Sequence, residues 1–169
     1  MIEISPETPA DFTAVREVNE LAFEQPAEAG LVDALRRAAH PTISLVAVDD
    51  GRVVGHIFFS PVTIEGPQGI SDAMGLAPMA VRPECQNRGI GSLLVREGLA
   101  ACVGLDEHVV VVLGHPHYYP RFGFVPAATK GLSCEYPVPD NVFMVTELVP
   151  GALRGRAGLV KYHPEFARV

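Results

Sequence analysis

Nowhere in the chain do about 18 to 20 apolar residues follow one another, so no segment is suited to cross a bilayer as a helix. The opening MIEISPETPADF has neither a cationic lead nor an apolar stretch, and no secretory signal is expected from it. Cysteine is sparse: Cys85, Cys102 and Cys134 are odd in number and lack the spacing of a zinc site or a disulfide framework, which points to a reducing cytoplasm and to no bound metal. Positive charge is also short. Against 20 acidic side chains stand 13 basic ones, and the net charge of −7 opposes non-specific attraction to nucleic acid or to an anionic membrane surface, although a local basic patch can still bind an anion. Internal repeats, low-complexity tracts and charge blocks are missing as well. What is there is 169 residues with 48% apolar content, enough for one sizeable core and too little for two ordinary domains, so a single domain over 1–169 is expected.

Glycine and proline fall between periodic segments as punctuation. Residues 2–4 read as a short strand, after which Asp11 is placed to cap a helix carrying Phe12, Val15, Val18, Ala22 and Phe23 at helical spacing. A second helix presents Leu31, Val32, Leu35 and Ala38 on one face. Residues 43–48 and 53–62 are β-rich runs separated by Asp49, Asp50, Gly51 and Arg52, which is turn chemistry for an antiparallel hairpin. Gly66, Pro67, Gln68 and Gly69 supply the next turn, and 74–81 reads as another strand. Pro78 inside it cannot donate to a ladder, so an irregularity is expected there. Further on, Ile90, Leu93, Leu94, Gly98, Ala101 and Cys102 recur at helical spacing, and 108–113 is a compact apolar run suited to a buried parallel strand. Shorter strands are expected at 143–148 and 159–162. The class is mixed α/β, with both antiparallel and parallel pairing.

Between strand 74–81 and the following helix lies VRPECQNRGIGS, residues 81–92. A helix beginning near Gly89 leaves its first N–H groups unpartnered and carries partial positive charge at that end, an arrangement that attracts phosphate. Gly89 and Gly91 lack Cβ atoms and let an anion approach the main chain, while Gln86, Asn87 and Arg88 add amide and guanidinium donors. Taken alone, a GxG at such a junction also suits a plain tight turn. Two familiar phosphate loops are excluded: no Gly-Lys pair exists for a P-loop, and Leu94 stands where the dinucleotide fingerprint needs its third glycine.

Leu76-Ala77-Pro78-Met79-Ala80-Val81-Arg82-Pro83 followed by Gln86-Asn87-Arg88-Gly89-Ile90-Gly91 resembles the strand and pyrophosphate loop of the GCN5-related N-acetyltransferases. Tyr118-Tyr119-Pro120-Arg121-Phe122-Gly123-Phe124 is similar to the aromatic, basic, Gly-Phe signature that follows the next strand in that family. The likeness is greatest to small bacterial members with a YYPRFGF sequence; it runs from about residue 2 to 125 and is looser beyond. It implies a mostly antiparallel central sheet with flanking helices and strands splayed at an acetyl-CoA site. In those terms 1–65 holds the first strand, two helices and hairpin, 73–125 the acetyl-CoA-binding core, and 126–169 C-terminal strands and loops.

The resemblance implies an acetyl-CoA-dependent N-acetyltransferase, with the coenzyme thioester as acyl donor and a primary amine on a small molecule or protein as acceptor. Backbone groups of Met79, Ala80 and Val81 would hold the pantetheine arm and polarise the thioester carbonyl. Gln86, Asn87, Arg88, Gly89, Ile90, Gly91 and Ser92 would form the pyrophosphate site, with Ile90 packed beneath. Tyr119 would protonate the departing thiolate, since a phenol of pKa about 10 stays protonated beside a thiol of about 8.5. Tyr118 is the alternative donor, and packing beside Phe122 and Phe124 is the other role open to Tyr119.

The general base is less legible, because no acidic residue lies between Ala73 and Val81. His115 is the candidate, with His117 close by, and both also suit a turn around Gly114 and Pro116; His56 in the strand 53–62 is a further candidate that also reads as a satisfied sheet residue. Cys85 has no adjacent base, which favours direct transfer over a covalent intermediate. Where family members carry an Asn before the aromatic pair, GHPHYYP offers His115. Glu135, Tyr136 and Asp140 lie in a Pro-rich stretch that either overhangs the acceptor side or is a solvated loop. The family's acceptor sites are built from the first helices and C-terminal loops, and its C-terminal strands leave a homodimer open. The competing reading is a catalytically silent CoA-binding module; a nucleotide switch is disfavoured by the missing lysine and Mg²⁺ ligands.

Overall fold

A computed structural model describes the chain from Met1 to Val169. In chain order its elements are β1 (Ile2–Pro6), α1 (Phe12–Phe23), α2 (Ala27–Ala38), β2 (Ile43–Asp49), β3 (Arg52–Gly66) and β4 (Gly69–Val81). Then come α3 (Ile90–Gly104), β5 (Val109–Leu113), β6 (Val125–Pro126), β7 (Leu132–Cys134), β8 (Phe143–Glu147) and β9 (Gly158–Lys161). The strands form one open sheet in the order β1-β2-β3-β4-β5-β8-β6, with β9 added beside the far half of β3 and β7 beside β9. Pairing is antiparallel except between β4 and β5 and between β7 and β9. This is the mixed class with both kinds of pairing that the sequence patterns indicated, and the mostly antiparallel sheet that the family resemblance implied. No helix is long and apolar enough to cross a membrane.

Period-two alternation along the central strands decides which helix covers which face. Val46 and Phe58 point to α1 and α2, where they meet Val15, Val18, Leu31, Val32 and Leu35. Their neighbours Leu45, Ala47, Ile57 and Phe59 point the other way, onto Ile90, Leu94, Val95 and Cys102 of α3. The apolar run of β5 splits in the same manner: Val110 and Val112 face α3, while Val109 and Val111 join a second core closed by Leu132, Val145, Val160 and Tyr162. Burial on both faces is why β5 reads as a continuous rather than alternating run.

Two departures from the sequence reading have clear causes. Asp11 does not cap α1; its carboxylate turns back to Thr8, accepting from Thr8 N at 2.8 Å and Thr8 Oγ1 at 3.2 Å, and so closes the short 3₁₀ turn Pro9–Asp11 that leads into the helix. Strand β4 begins at Gly69 rather than near 74, since the Gly66–Gly69 turn is tight enough for pairing to start at once, Gly66 opposite Gly69. The irregularity expected at Pro78 is present. Ile57 pairs with Met79 and Phe59 with Leu76, so Phe58 alone faces both Ala77 and Pro78.

Helix α3 approaches β3 closely at Gly98, where an added Cβ would stand 2.3 Å from Phe59 Cε1. Phe59 is fully buried and cannot swing aside. Gly98→Ala is expected to lower the unfolding free energy by about 1–3 kcal/mol, read by urea denaturation, because the ring or the helix must shift.

Candidate active site

Strand β4 pairs with β5 only over Met74–Val110, Gly75–Val111 and Leu76–Val112. Beyond the bulge it continues to Val81 bonded to β3 alone, so the opposite backbone edge of Met79, Ala80 and Val81 is free of a strand partner. The chain then leaves the sheet at Arg82, a buried arginine whose Nε donates to Val53 O at 3.0 Å and whose guanidinium meets the Glu17 carboxylate of α1 at 3.2 Å. Its own amide donates to Val54 O at 2.8 Å.

After a 3₁₀ turn at Pro83–Cys85, Gln86 Nε2 donates back to Val81 O at 3.0 Å, Asn87 adopts φ 64° and Gly89 φ 81°. These left-handed residues turn the chain into α3. Nothing lies within 4 Å of a Cβ added at Gly89, so glycine is required there for its backbone angle alone. Ile90 anchors the loop from below, 2% exposed. Leu93 N is bonded to Gly89 O at 3.1 Å, which leaves the amides of Ile90, Gly91 and Ser92 ahead of the helical ladder.

Together these features border a cleft of about 630 Å³. One wall carries Met79, Ala80 and Val81 and the loop residues Cys85, Gln86, Asn87, Gly89, Ile90, Gly91 and Ser92; the other carries His115, Tyr118, Tyr119 and Arg121; Ala22 and Phe23 of α1 close one side. Tyr119 is 6% exposed, its ring edge-on to Tyr118 at 5.1 Å and to Phe124 at 5.6 Å. Gly114 makes room for it, since a Cβ there would sit 2.2 Å from Tyr119 Cε2. Burial, helped by the adjacent Tyr118, pushes the Tyr119 phenol above its ordinary pKa. Its hydroxyl has no hydrogen-bond partner in the chain, yet is not among the sealed polar atoms. Tyr118 is engaged instead: its hydroxyl is 3.1 Å from Ser92 Oγ across the mouth of the cleft, and Arg121 stacks on its ring at 4.5 Å.

Residues 3–127 match the profile of the acetyltransferase (GNAT) domain. The chain belongs to the GNAT family of N-acetyltransferases. It is 40% identical over 163 residues to the uncharacterized N-acetyltransferase YhbS of Escherichia coli K12, covering 96% of each protein. A crystal structure of E. coli YhbS in complex with CoA superposes with TM-score 0.91 at 38% identity, over 99% of this chain and 92% of that one. A GNAT acetyltransferase from Brucella melitensis in complex with acetyl-CoA gives TM-score 0.80 at 38% identity, over 98% of each chain.

Against the GNAT expectations, every loop and strand residue named from the sequence lines the cleft except Arg88, whose guanidinium turns outward to Asp49 at 3.8 Å. His115 lines it; His117 does not, its carbonyl accepting from Arg121 Nη2 at 3.4 Å. Cys85 reaches the lining but is buried, with no base beside it. The stretch Glu135, Tyr136 and Asp140 lies apart: Tyr136 and Asp140 border a separate hollow of about 200 Å³, and Glu135 accepts from Tyr162 N at 2.7 Å. Ala22, Phe23 and Arg121 are lining residues that sequence reasoning did not single out. The first two carried only a helical period, and Arg121 was visible only as the basic member of YYPRFGF.

His56 is not in the cleft. Its Nδ1 accepts from Asn19 Nδ2 at 3.2 Å, so Nε2 carries the proton and donates to Ser44 Oγ at 2.8 Å. Burial, reinforced by Arg36, lowers its pKa from 6.5 to about 3. Because the folded pKa lies below the unfolded one, this contribution is complete above pH 6.5 and is lost as pH falls toward 3. Over that window unfolding free energy is expected to decline by up to about 1.4 kcal/mol per pH unit from this group. Denaturant titrations from pH 7 to 5 test it: His56→Asn removes this slope, whatever its effect at pH 7.

Proposed function

We propose that the chain, acting as one domain over 1–169, binds acetyl-CoA in this cleft and transfers the acetyl group directly to a primary amine on a small molecule or protein. The observation that carries the reading is the unpartnered Tyr119 hydroxyl facing a cleft whose other wall is the free edge of β4 and the amides of α3. The coenzyme-bound relatives support it, at 38% identity over nearly the whole chain. Three unpaired cysteines and the bacterial relatives support a cytoplasmic location.

Each part of the chemistry has a candidate group. The amides of Ile90, Gly91 and Ser92 are unpaired donors at a helix N-terminus, the geometry that holds a diphosphate. The free edge of Met79–Ala80–Val81 offers main-chain donors and acceptors to an extended, amide-containing arm, as an added strand would use them. An N–H from the same edge polarises the thioester carbonyl and stabilises the oxyanion. The amine lone pair attacks the carbonyl carbon; a C–N bond forms, the C–S bond breaks on collapse, and the nitrogen loses one proton. Tyr119 donates to the emerging thiolate. Its raised pKa keeps the phenol protonated throughout the working range, and the proton shed by the amine restores the balance. No carboxylate lines the cleft, which leaves His115 on the lip as the side-chain base, directly or through water.

The acceptor enters beside Ala22 and Phe23, the side of the cleft that the loop and tyrosines leave to α1. The excess of acidic side chains, 20 against 13, suits a cationic amine.

Two variants test the reading. Tyr119→Phe is expected to lower kcat about 10²-fold in a thiol-release assay with mixed amines while CoA affinity by calorimetry stays within about threefold. An unchanged kcat removes Tyr119 from the chemistry. Gly91→Val places its side chain against the Tyr118 hydroxyl, 3.1 Å from the Cβ position, and Met79 Cε, 3.5 Å away. CoA affinity should drop at least about tenfold with the thermal midpoint little changed; undiminished binding would place the coenzyme elsewhere.

A further inference from the structure

Outside the groups used above, the 3₁₀ turn Tyr119–Phe122 puts Arg121 in the lining of the cleft, and α3 puts Arg96 behind it, against the ring of Phe122. The Arg121 guanidinium lies 4.5 Å from the Tyr118 ring centroid, and that of Arg96 lies 5.2 Å from the Phe122 centroid. The two rings touch edge to face, with centroids 5.3 Å apart. Neither arginine has a carboxylate within 4 Å, although the chain has seven more acidic than basic side chains; Arg16, Arg36, Arg52, Arg82, Arg88 and Arg168 are paired, while Arg37, Arg154 and Arg156, away from the cleft lining, are not. Arg121 spends its Nε on Tyr118 O at 2.9 Å and Nη2 on His117 O at 3.4 Å, which fixes its plane and leaves Nη1 without a partner in the chain. Arg96 lies one helical turn beyond Ser92, the residue that meets Tyr118, and so extends the border outward along α3. Stacking restricts both guanidiniums before any ligand arrives, a placement suited to a phosphate dianion rather than to a solvated surface charge.

Coenzyme A carries one more anion than the diphosphate, a monoester on its ribose 3′ position. With the thioester directed toward Tyr119 and the diphosphate on the amides of Ile90 to Ser92, the nucleotide would extend past the first turn of α3, toward Arg121 in the cleft lining and Arg96 one turn beyond Ser92. We infer that Arg96 and Arg121 together bind the 3′-phosphate and make the protein selective for coenzyme A thioesters over their 3′-dephospho counterparts. The inference rests on the proposal that the cleft binds acetyl-CoA.

The experiment is calorimetric titration of CoA and of 3′-dephospho-CoA into the parent, Arg96→Gln, Arg121→Gln and the double variant. A charge-assisted contact carries about tenfold in affinity or more, so the parent should favour CoA by about 10²-fold, each single variant by about tenfold, and the double variant not at all. The preference of the parent should also shrink as salt is raised. Arg121→Gln loses its bonds to Tyr118 O and His117 O as well, but a loosened turn weakens both ligands alike and leaves their ratio intact; Arg96 makes no such bond. Equal binding of the two ligands by the parent, or a preference that survives in the double variant, overturns the inference while leaving the acetyl-CoA reading standing. Failure of the parent to bind either ligand overturns both.

Discussion

The separation of β4 from β5 after Leu76 is the constraint on which the site depends. Parallel neighbours cannot be joined by a tight turn, so a crossover is required, and α3 supplies it. The N-terminus of that crossover helix must therefore stand at the end of β4, beside the place where the two strands part. A free strand edge for an extended amide arm and a cluster of unpaired amides for an anion are two products of one connection. Pro78 belongs to the same arrangement, because a residue without an N–H is tolerated where the ladder is already interrupted opposite Phe58.

The surrounding packing holds this opening without filling it. Ile57 and Phe59 seat α3 against the sheet at Gly98, and Ile90 ties the loop to the same core. On the second wall Tyr119 is held by contact with Tyr118, Phe122 and Phe124, in space that Gly114 leaves open. Most groups proposed to meet the coenzyme are main-chain, which explains why glycine and backbone angle matter more here than side-chain charge. Arg88, the cation nearest the loop in sequence, faces Asp49 instead.

Much of the frame was legible in the sequence because it rests on local chemistry. The β2–β3 hairpin followed from Asp49 to Arg52, the β3–β4 turn from Gly66 to Gly69, and the parallel strand from an unbroken apolar run. What escaped was non-local or too short to carry a period. Strands of two and three residues, β6 and β7, exist only because β8 and β9 lie alongside them. Asp11 has two geometries open to it, forward to α1 or back to Thr8, and the composition does not distinguish them. Ala22 and Phe23 reach the cleft through the way α1 is laid across the sheet, which no spacing within α1 encodes.

Arg82 gives that placement of α1 a mechanical meaning. One residue stitches the end of β4 to Val53 and Val54 of β3 and to Glu17 of α1. Helix α1, which borders the cleft through Ala22 and Phe23, is thus tied to the end of the strand that leads into the glycine loop, and the two form one side of the cleft. Across the mouth, the side-chain hydrogen bond that joins this side to the opposing segment 114–123 is the contact between two hydroxyls, Ser92 and Tyr118. Parting the mouth on the tyrosine side therefore breaks one hydroxyl–hydroxyl contact, whereas displacing the end of β4 would break the bonds of Arg82 to β3 and α1 together.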